Sequence, residues 1–309
     1  MPYYRIARGS QWPESYVNQI LCGDAQAQLR NFPDACAALI ATSPPYWNIK
    51  DYGIPGQIGQ SDYDPYLEEL LTVWRECERI LVPNGKLAIV TPIMPIPKAQ
   101  MASQHTRHLK NIGADIEHSI LANLASLHRF SLYIWQKQTS VKMFGSYPFP
   151  GNLYEDNTIE FIHVFVKEGK PLPISPAMKD PSRLTQEEWR NLTMQVWPLY
   201  PADVRRKDGH PCPYPPALAQ RLIALYTFQT CPQEGFAGDL VIDPFCGIGA
   251  TCLAAQAMQR PFIGIDLNPA YCASAQKRLT CQPIDPKAFM LNRVPVRGAH
   301  NSVQTTNPS

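Results

Sequence analysis

Two stretches of this chain carry residue types that could do chemistry together. The first is Asp243-Pro-Phe-Cys-Gly247-Ile-Gly249-Ala-Thr251, which follows the apolar run Asp239-Leu-Val-Ile-Asp243. A strand ending in an acid and turning through glycines into a helix lets the backbone pass close beneath a ligand, where a side chain would collide. The second is Thr42-Ser43-Pro44-Pro45-Tyr46-Trp47, after the apolar run Ala37–Thr42. Two prolines fix φ and remove two backbone donors, so this is a stiff turn rich in acceptors.

Each turn implies a partner. Asp266 ends the next apolar run, Pro261–Asp266, about 20 residues past the glycine turn, which suits an acid gripping ribose hydroxyls. A dinucleotide is the rival ligand. Cys252 stands at the third glycine place of that fingerprint, and Asp243 would repel a pyrophosphate. An acid there suits the ammonium of a methionine moiety, so electrostatics favours S-adenosylmethionine over NAD. The proline turn suits an exocyclic amine, a poor nucleophile whose hydrogens must be oriented and one proton lost. Ser43 Oγ and the Pro44 carbonyl can accept those hydrogens, and Tyr46 offers a face for an extruded base. The plain alternative is a proline-rich turn with buried aromatics. Its place at the carboxyl end of a strand, where doubly wound sheets bind ligands, favours the functional reading.

Thr42–Tyr46 together with Asp243–Gly249 resembles the amino-methyltransferase family of DNA modification enzymes. The catalytic loop precedes the cofactor loop, as in that family's permuted β group, and the resemblance spans most of the chain. It implies a doubly wound, mostly parallel α/β sheet of the Rossmann-like, circularly permuted methyltransferase kind. Gly23-Asp24 is similar to the acid near the cofactor adenine, and Leu81-Val-Pro-Asn-Gly85-Lys-Leu to the family's helix–turn–strand. His210-Pro211-Cys-Pro-Tyr214-Pro is similar to the segment around the methionine end, and Phe262-Ile-Gly-Ile-Asp266 with Tyr271 and Arg278 to the ribose strand and its helix. The implied cofactor-binding residues are Asp24, Thr42, His210, Pro211, Tyr214, Asp243, Phe245, Cys246, Gly247, Gly249, Thr251, Asp266 and Asn268. The implied catalytic residues are Ser43, Pro44, Pro45 and Tyr46. Two departures stand out: Ala250 where a hydroxyl is common, and Cys212 with Tyr214 where Ala and Phe are common.

In this family Ser at position 43 accompanies cytosine N4 and Asp accompanies adenine N6, so the resemblance implies N4 methylation of duplex DNA. Adenine N6 is the alternative, since either side chain accepts a bond from an amine. Related loops also serve amine methyltransferases of RNA or protein, and a DNA-binding module without activity is the non-enzymatic rival. Carbon-5 methylation needs a thiolate nucleophile. Cys212 and Cys231 adjoin prolines but do not end a catalytic strand.

The elements that must position these turns are legible in outline. Gln19–Cys22, Ala37–Thr42, Lys86–Val90, Phe130–Trp135 and Asn157–Lys167 read as strands. Tyr66–Leu81 has apolar residues at helical spacing and is expected to stop at Pro83-Asn84-Gly85. His105–Leu127, Pro216–Phe228, Ala250–Gln259 and Pro269–Leu279 read as helices. One catalytic domain over 1–297 is expected, with an insertion at about 91–150, a small target-recognition segment at about 168–209 and a disordered tail at 298–309. Arg205, Arg206 and Lys207 in that segment, with Trp47, are the DNA-binding candidates. Tyr147 and Phe149 either flank the extruded base or pack in the core.

The 309 residues hold 28 Lys+Arg and 26 Asp+Glu, a net charge of only +2, so any DNA groove must rest on local charge. The nine cysteines form no Cys-x-x-Cys pair, and neither a disulfide framework nor a metal site is expected. No run of eighteen apolar residues and no apolar start imply a cytoplasmic protein without a membrane span. The expected partners are double-stranded DNA and a restriction endonuclease sharing its site, with the chain a monomer or homodimer.

Overall fold

The computed structural model describes residues 12–47, 54–96, 108–137, 144–199, 214–281, 283–287 and 290. In chain order the elements are β1 (Gln19–Cys22), α1 (Ala25–Leu29), β2 (Ala37–Thr42), α2 (Tyr63–Ile80), β3 (Leu81–Thr91), β4 (Ile93–Pro95), β5 (Leu109–Asn111), α3 (Ile112–Asn123) and β6 (Leu127–Lys137). There follow β7 (Phe144–Gly145), β8 (Leu153–Tyr154), β9 (Ile159–Lys167), α4 (Pro176–Lys179), α5 (Gln186–Leu192), β10 (Val196–Leu199), α6 (Pro216–Tyr226), β11 (Val241–Asp243), α7 (Ala250–Ala257), β12 (Phe262–Asp266) and α8 (Pro269–Cys281).

Eight strands form one sheet in the order β1-β12-β11-β2-β3-β9-β6-β10. Every neighbouring pair is parallel except those made by β9, which runs against β3 and β6. Strand periodicity divides the core into two layers. Leu39, Ala41, Ala88, Val90 and Val241 face α6, α7 and α8 on one side. Ile40, Leu87, Ile89, Ile242 and Ile263 face α1, α2 and α3 on the other. This is the doubly wound, mostly parallel α/β sheet expected. Two of its neighbouring pairs join the two halves of the chain, because β2 lies beside β11 and β1 beside β12.

The turn at Pro83-Asn84-Gly85 and the start of the helix expected from His105 differ from expectation. Pro83-Asn84-Gly85 does not separate helix from strand: α2 passes straight into β3 at Leu81, and the tripeptide bulges within it. The register steps from Ala37 opposite Leu81 to Leu39 opposite Lys86, and Asn84 takes φ 63°. Asn tolerates that left-handed turn, which is why a turn signal sits inside a strand. Within the stretch 91–150, expected as an insertion, β6 and α3 pack with the sheet. β6 pairs with β9 from Leu127 to Gln136, and Ile112, Ile116 and Ile120 of α3 pack beneath the sheet. The helix expected from His105 begins only at Ile112, after the short strand β5. Finally, the polar stretch 168–209 contributes β10 to the sheet edge, where buried Trp197 stacks on Tyr133 with ring centroids 4.4 Å apart. Arg205, Arg206 and Lys207 lie outside the described residues.

Candidate active site

The two chemistry-bearing turns leave neighbouring strands on the same edge. β2 ends at Thr42 and β11 ends at Asp243, and Thr42 Oγ1 donates to Asp243 Oδ1 at 2.6 Å. One hydrogen bond thus ties residues 201 apart in sequence and holds residues 43–47 next to residues 244–249. Both turns border one cleft at this edge.

Asp243 is the internal tie of this edge. Its buried carboxylate also accepts from Thr251 Oγ1 at 2.5 Å, from Tyr214 OH at 3.1 Å and from the Phe245 amide at 3.1 Å. Tyr214 and Thr251 hydroxyls are themselves in contact. Burial, and next the Asp243 charge, push the Tyr214 phenol well up, so it stays a donor. Thr42, Asp243 and Thr251, all expected to bind the cofactor, are thus bonded to one another. None of the three borders the cleft, because their polar atoms satisfy one another behind its wall.

That wall has a measurable cost. Burial raises the Asp243 carboxyl from an ordinary 3.8 to about 6, against the opposing pull of its four donors. A carboxyl raised by folding stabilises the fold fully below its unfolded value, and this contribution fades as pH rises through the folded one. Between pH 4 and 7 the protein is therefore expected to lose about 2 kcal/mol from this group. Urea unfolding at stepped pH should show it, with a flatter curve for Asp243→Asn. Parallel curves would mean that Asp243 is not the titrating group.

The cleft itself is lined from both turns. Ser43, Pro45 and Tyr46 contribute from one, with Pro44 buried behind them; Phe245, Cys246 and Gly247 contribute from the other. Phe245 is held edge-on to Trp74 at 6.0 Å. Gly249 opens α7 at φ 81°, and a Cβ there would stand 3.0 Å from Ala275 Cβ, so glycine is needed for both geometry and packing. Asp266 accepts from the Gly247 amide and the Asn268 amide, both at 2.8 Å, and burial raises its carboxyl against those bonds. Asp24 caps α1 by accepting from the Ala27 amide at 2.8 Å and lies exposed at the rim. The Gly23 amide donates to the Asp266 carbonyl at 2.9 Å and draws the two acidic turns together.

The lining contains Asp24 and Asp266 and, among the described residues, no lysine or arginine. A pyrophosphate would find no countercharge there, whereas a cationic ligand with ribose hydroxyls finds carboxylates, aromatic faces at Phe245 and Tyr271, and bare backbone at Gly247. His210 and Pro211 lie outside the described residues.

The proline turn is fixed by side chains that sequence reasoning did not single out. Ser43 Oγ lies 2.7 Å from Tyr46 OH and 3.3 Å from the Val90 carbonyl. Tyr66 OH donates to the Pro45 carbonyl at 2.9 Å. Tyr46 OH donates to Glu160 Oε2 at 3.4 Å, and Glu160 Oε1 accepts from Lys137 Nζ at 2.9 Å. A signal for Glu160 existed: in β9 it shares the parity of Ile162 and Val164, both buried, and an acid on a core-facing row needs a partner. Trp47, expected as a DNA contact, is half-buried beside this turn. Its indole donates to the Ser61 carbonyl at 3.0 Å and meets Tyr63 edge-on at 5.0 Å. Gly59 crosses so close that a Cβ would stand 2.9 Å from Trp47 Cα. Tyr147 and Phe149 are both exposed, which removes core packing as their role.

Comparison with known proteins bears on this arrangement directly. A family model described as DNA methylase matches residues 37–277, from the start of β2 into α8. The Type II methyltransferase M.XycI of Xanthomonas campestris pv. cyanopsidis is 27% identical over 278 residues, covering 84% of this chain and 87% of its own. DNA adenine methyltransferase YhdJ of Escherichia coli K12 is 28% identical over 264 residues, covering 84% and 82%. The TTHA0409 protein of Thermus thermophilus, solved in complex with S-adenosyl-L-methionine, superposes with a TM-score of 0.66 at 30% identity, covering 85% of this chain and 94% of that one. The matched stretch contains both turns, the tie between them and most of the cleft lining, Asp266 included, and so this chain belongs to the DNA methylase family.

Proposed function

We propose that this protein methylates the exocyclic N4 of cytosine in duplex DNA, with S-adenosyl-L-methionine as methyl donor. The observation that carries the reading is the Thr42–Asp243 bond, which sets an amine-accepting turn beside a cation-tolerant, ribose-suited cleft. Asp266, Asp24, Phe245 and Gly247 would hold the donor, whose sulfonium supplies an activated methyl group. Ser43 Oγ and the Pro44 carbonyl take the hydrogens of the target amine, so that its lone pair leaves conjugation with the ring. Tyr46 borders the same space, where an extruded base would lie. Transfer is direct and in line, without a covalent enzyme intermediate.

Cytosine N4 rests on Ser43, the residue that the family's cytosine members carry where its adenine members carry Asp. The order of the two loops along the chain fits the family's permuted β group. Adenine N6 is the second reading, and the E. coli adenine methyltransferase among the relatives is what favours it. The type II name of M.XycI suggests a restriction endonuclease that acts on the same DNA site. Among the described residues no helix is long and apolar enough to cross a membrane.

Incubation with plasmid DNA and donor, followed by mass spectrometry of the nucleosides, tests the proposal. N4-methylcytosine is the expected product. N6-methyladenine would transfer the assignment to the second reading. Methylation of RNA or protein alone would overturn both.

A further inference from the structure

We propose that Glu160 is a positioning residue for methyl transfer: acting through Tyr46, it sets the direction in which Ser43 donates its proton and so keeps the Ser43 oxygen an acceptor for the target amine. The proposal rests on the assignment of Ser43 as amine acceptor given above.

The argument follows the hydrogens. β9 enters the sheet at its carboxyl edge, where Phe161 pairs with Thr91 and Glu160 with Trp135. Glu160 is therefore buried directly behind the proline turn. The charged and titratable groups facing it among the described residues are Lys137 from β6 and Tyr46 from the turn. An ionised carboxylate only accepts and an ammonium only donates. Lys137 Nζ occupies Oε1 at 2.9 Å, and Tyr46 must aim its single proton at Oε2. At the 2.7 Å contact between Ser43 Oγ and Tyr46 OH, Ser43 is then the donor. Its other neighbour inside the protein, the Val90 carbonyl at 3.3 Å, is also only an acceptor. Whichever of the two it chooses, Ser43 spends its proton inward and presents lone pairs to the cleft.

Glu160→Gln inverts this chain at constant shape. Lys137 would claim the amide oxygen and turn the amide NH2 toward Tyr46. Tyr46 then accepts from Gln and donates to Ser43, filling a lone pair that the amine needs. Acidification imitates the substitution, because a protonated Glu160 becomes a donor. Burial raises its carboxyl above the ordinary carboxylate value, with the Lys137 charge opposing the rise. The acceptor is therefore present above that raised value and is lost as pH falls through it.

Single-turnover methyl transfer, with cofactor affinity measured alongside, tests the idea. Glu160→Gln should slow transfer by about 10- to 100-fold, the scale of one hydrogen bond to a charged group, and leave cofactor affinity unchanged. Tyr46→Phe cuts the link to Ser43 while leaving the Glu160–Lys137 pair intact, and it serves even if Glu160→Gln folds poorly: its rate should lose the acid-side limb of the wild-type profile. In the Tyr46→Phe background, Glu160→Gln should cost less than about twofold more, since the link is already cut. The wild-type rate should also fall on the acid side with a limb that the Glu160→Gln profile lacks. A wild-type rate in Glu160→Gln, or an undiminished loss in the Tyr46→Phe background, overturns the proposal. A wild-type rate in Ser43→Ala would instead remove the Ser43 assignment on which it stands.

Discussion

Ser43→Ala is expected to slow methyl transfer by about a hundredfold, the lower end of what a positioned proton acceptor contributes, without loosening the donor. The separation follows from how the turn is held. Its anchor is Thr42, whose hydroxyl reaches Asp243, and its backbone is braced by Tyr66 at the Pro45 carbonyl. Neither contact involves the Ser43 side chain. Removing that oxygen leaves the cleft walls standing and takes away one acceptor of the amine hydrogens. The Tyr46 hydroxyl loses a neighbour at 2.7 Å but keeps Glu160, so no buried polar group is stranded. Single-turnover rates against calorimetric cofactor affinity check both halves. A rate near wild type would remove Ser43 from the mechanism, and a joint loss of rate and affinity would recast it as part of the scaffold.

How far the sequence foretold this site depends on what each residue type encodes. Backbone requirements were legible: the glycines before α7, the proline turn after β2 and the acid ending β12 all stand at the carboxyl edge. Direction was harder to read. Asp243 suits a cation as an acid after a buried strand, and the sequence does not show the three hydroxyls that bond it. Two of those partners, Thr42 and Tyr214, come from elsewhere in the chain, and no local spacing announces them. The packing of Trp47 was hidden for a related reason, since a loop aromatic does not disclose the crossing of Gly59 against its backbone. β10 hid because its solvent-facing row dilutes the alternation that betrays central strands, whereas β6 was legible over Phe130–Trp135. Glu160 was readable in principle by its parity with Ile162 and Val164, and its partner Lys137 only from the pairing of β6 with β9.

Asp266→Ala should give the opposite kinetic signature to Ser43→Ala, with the dissociation constant of the donor rising about a hundredfold and the transfer rate at saturation little changed. A carboxylate that receives two ribose hydroxyls makes charge-assisted bonds, each worth about 1.5–3 kcal/mol, so losing them reaches that scale. Asp266 also accepts from the Gly247 and Asn268 amides, and its removal frees the glycine turn as well. The two effects can be separated. A donor analogue without its ribose hydroxyls should bind wild type and Asp266→Ala almost equally if the ribose contact dominates. If the variant still binds the analogue a hundredfold more weakly, the loss belongs to the turn, and Asp266 is a brace for Gly247 in place of a ligand. Unchanged affinity for the natural donor would remove Asp266 from the binding site altogether, and with it the reason for reading this acid-lined cleft as a place for a nucleoside.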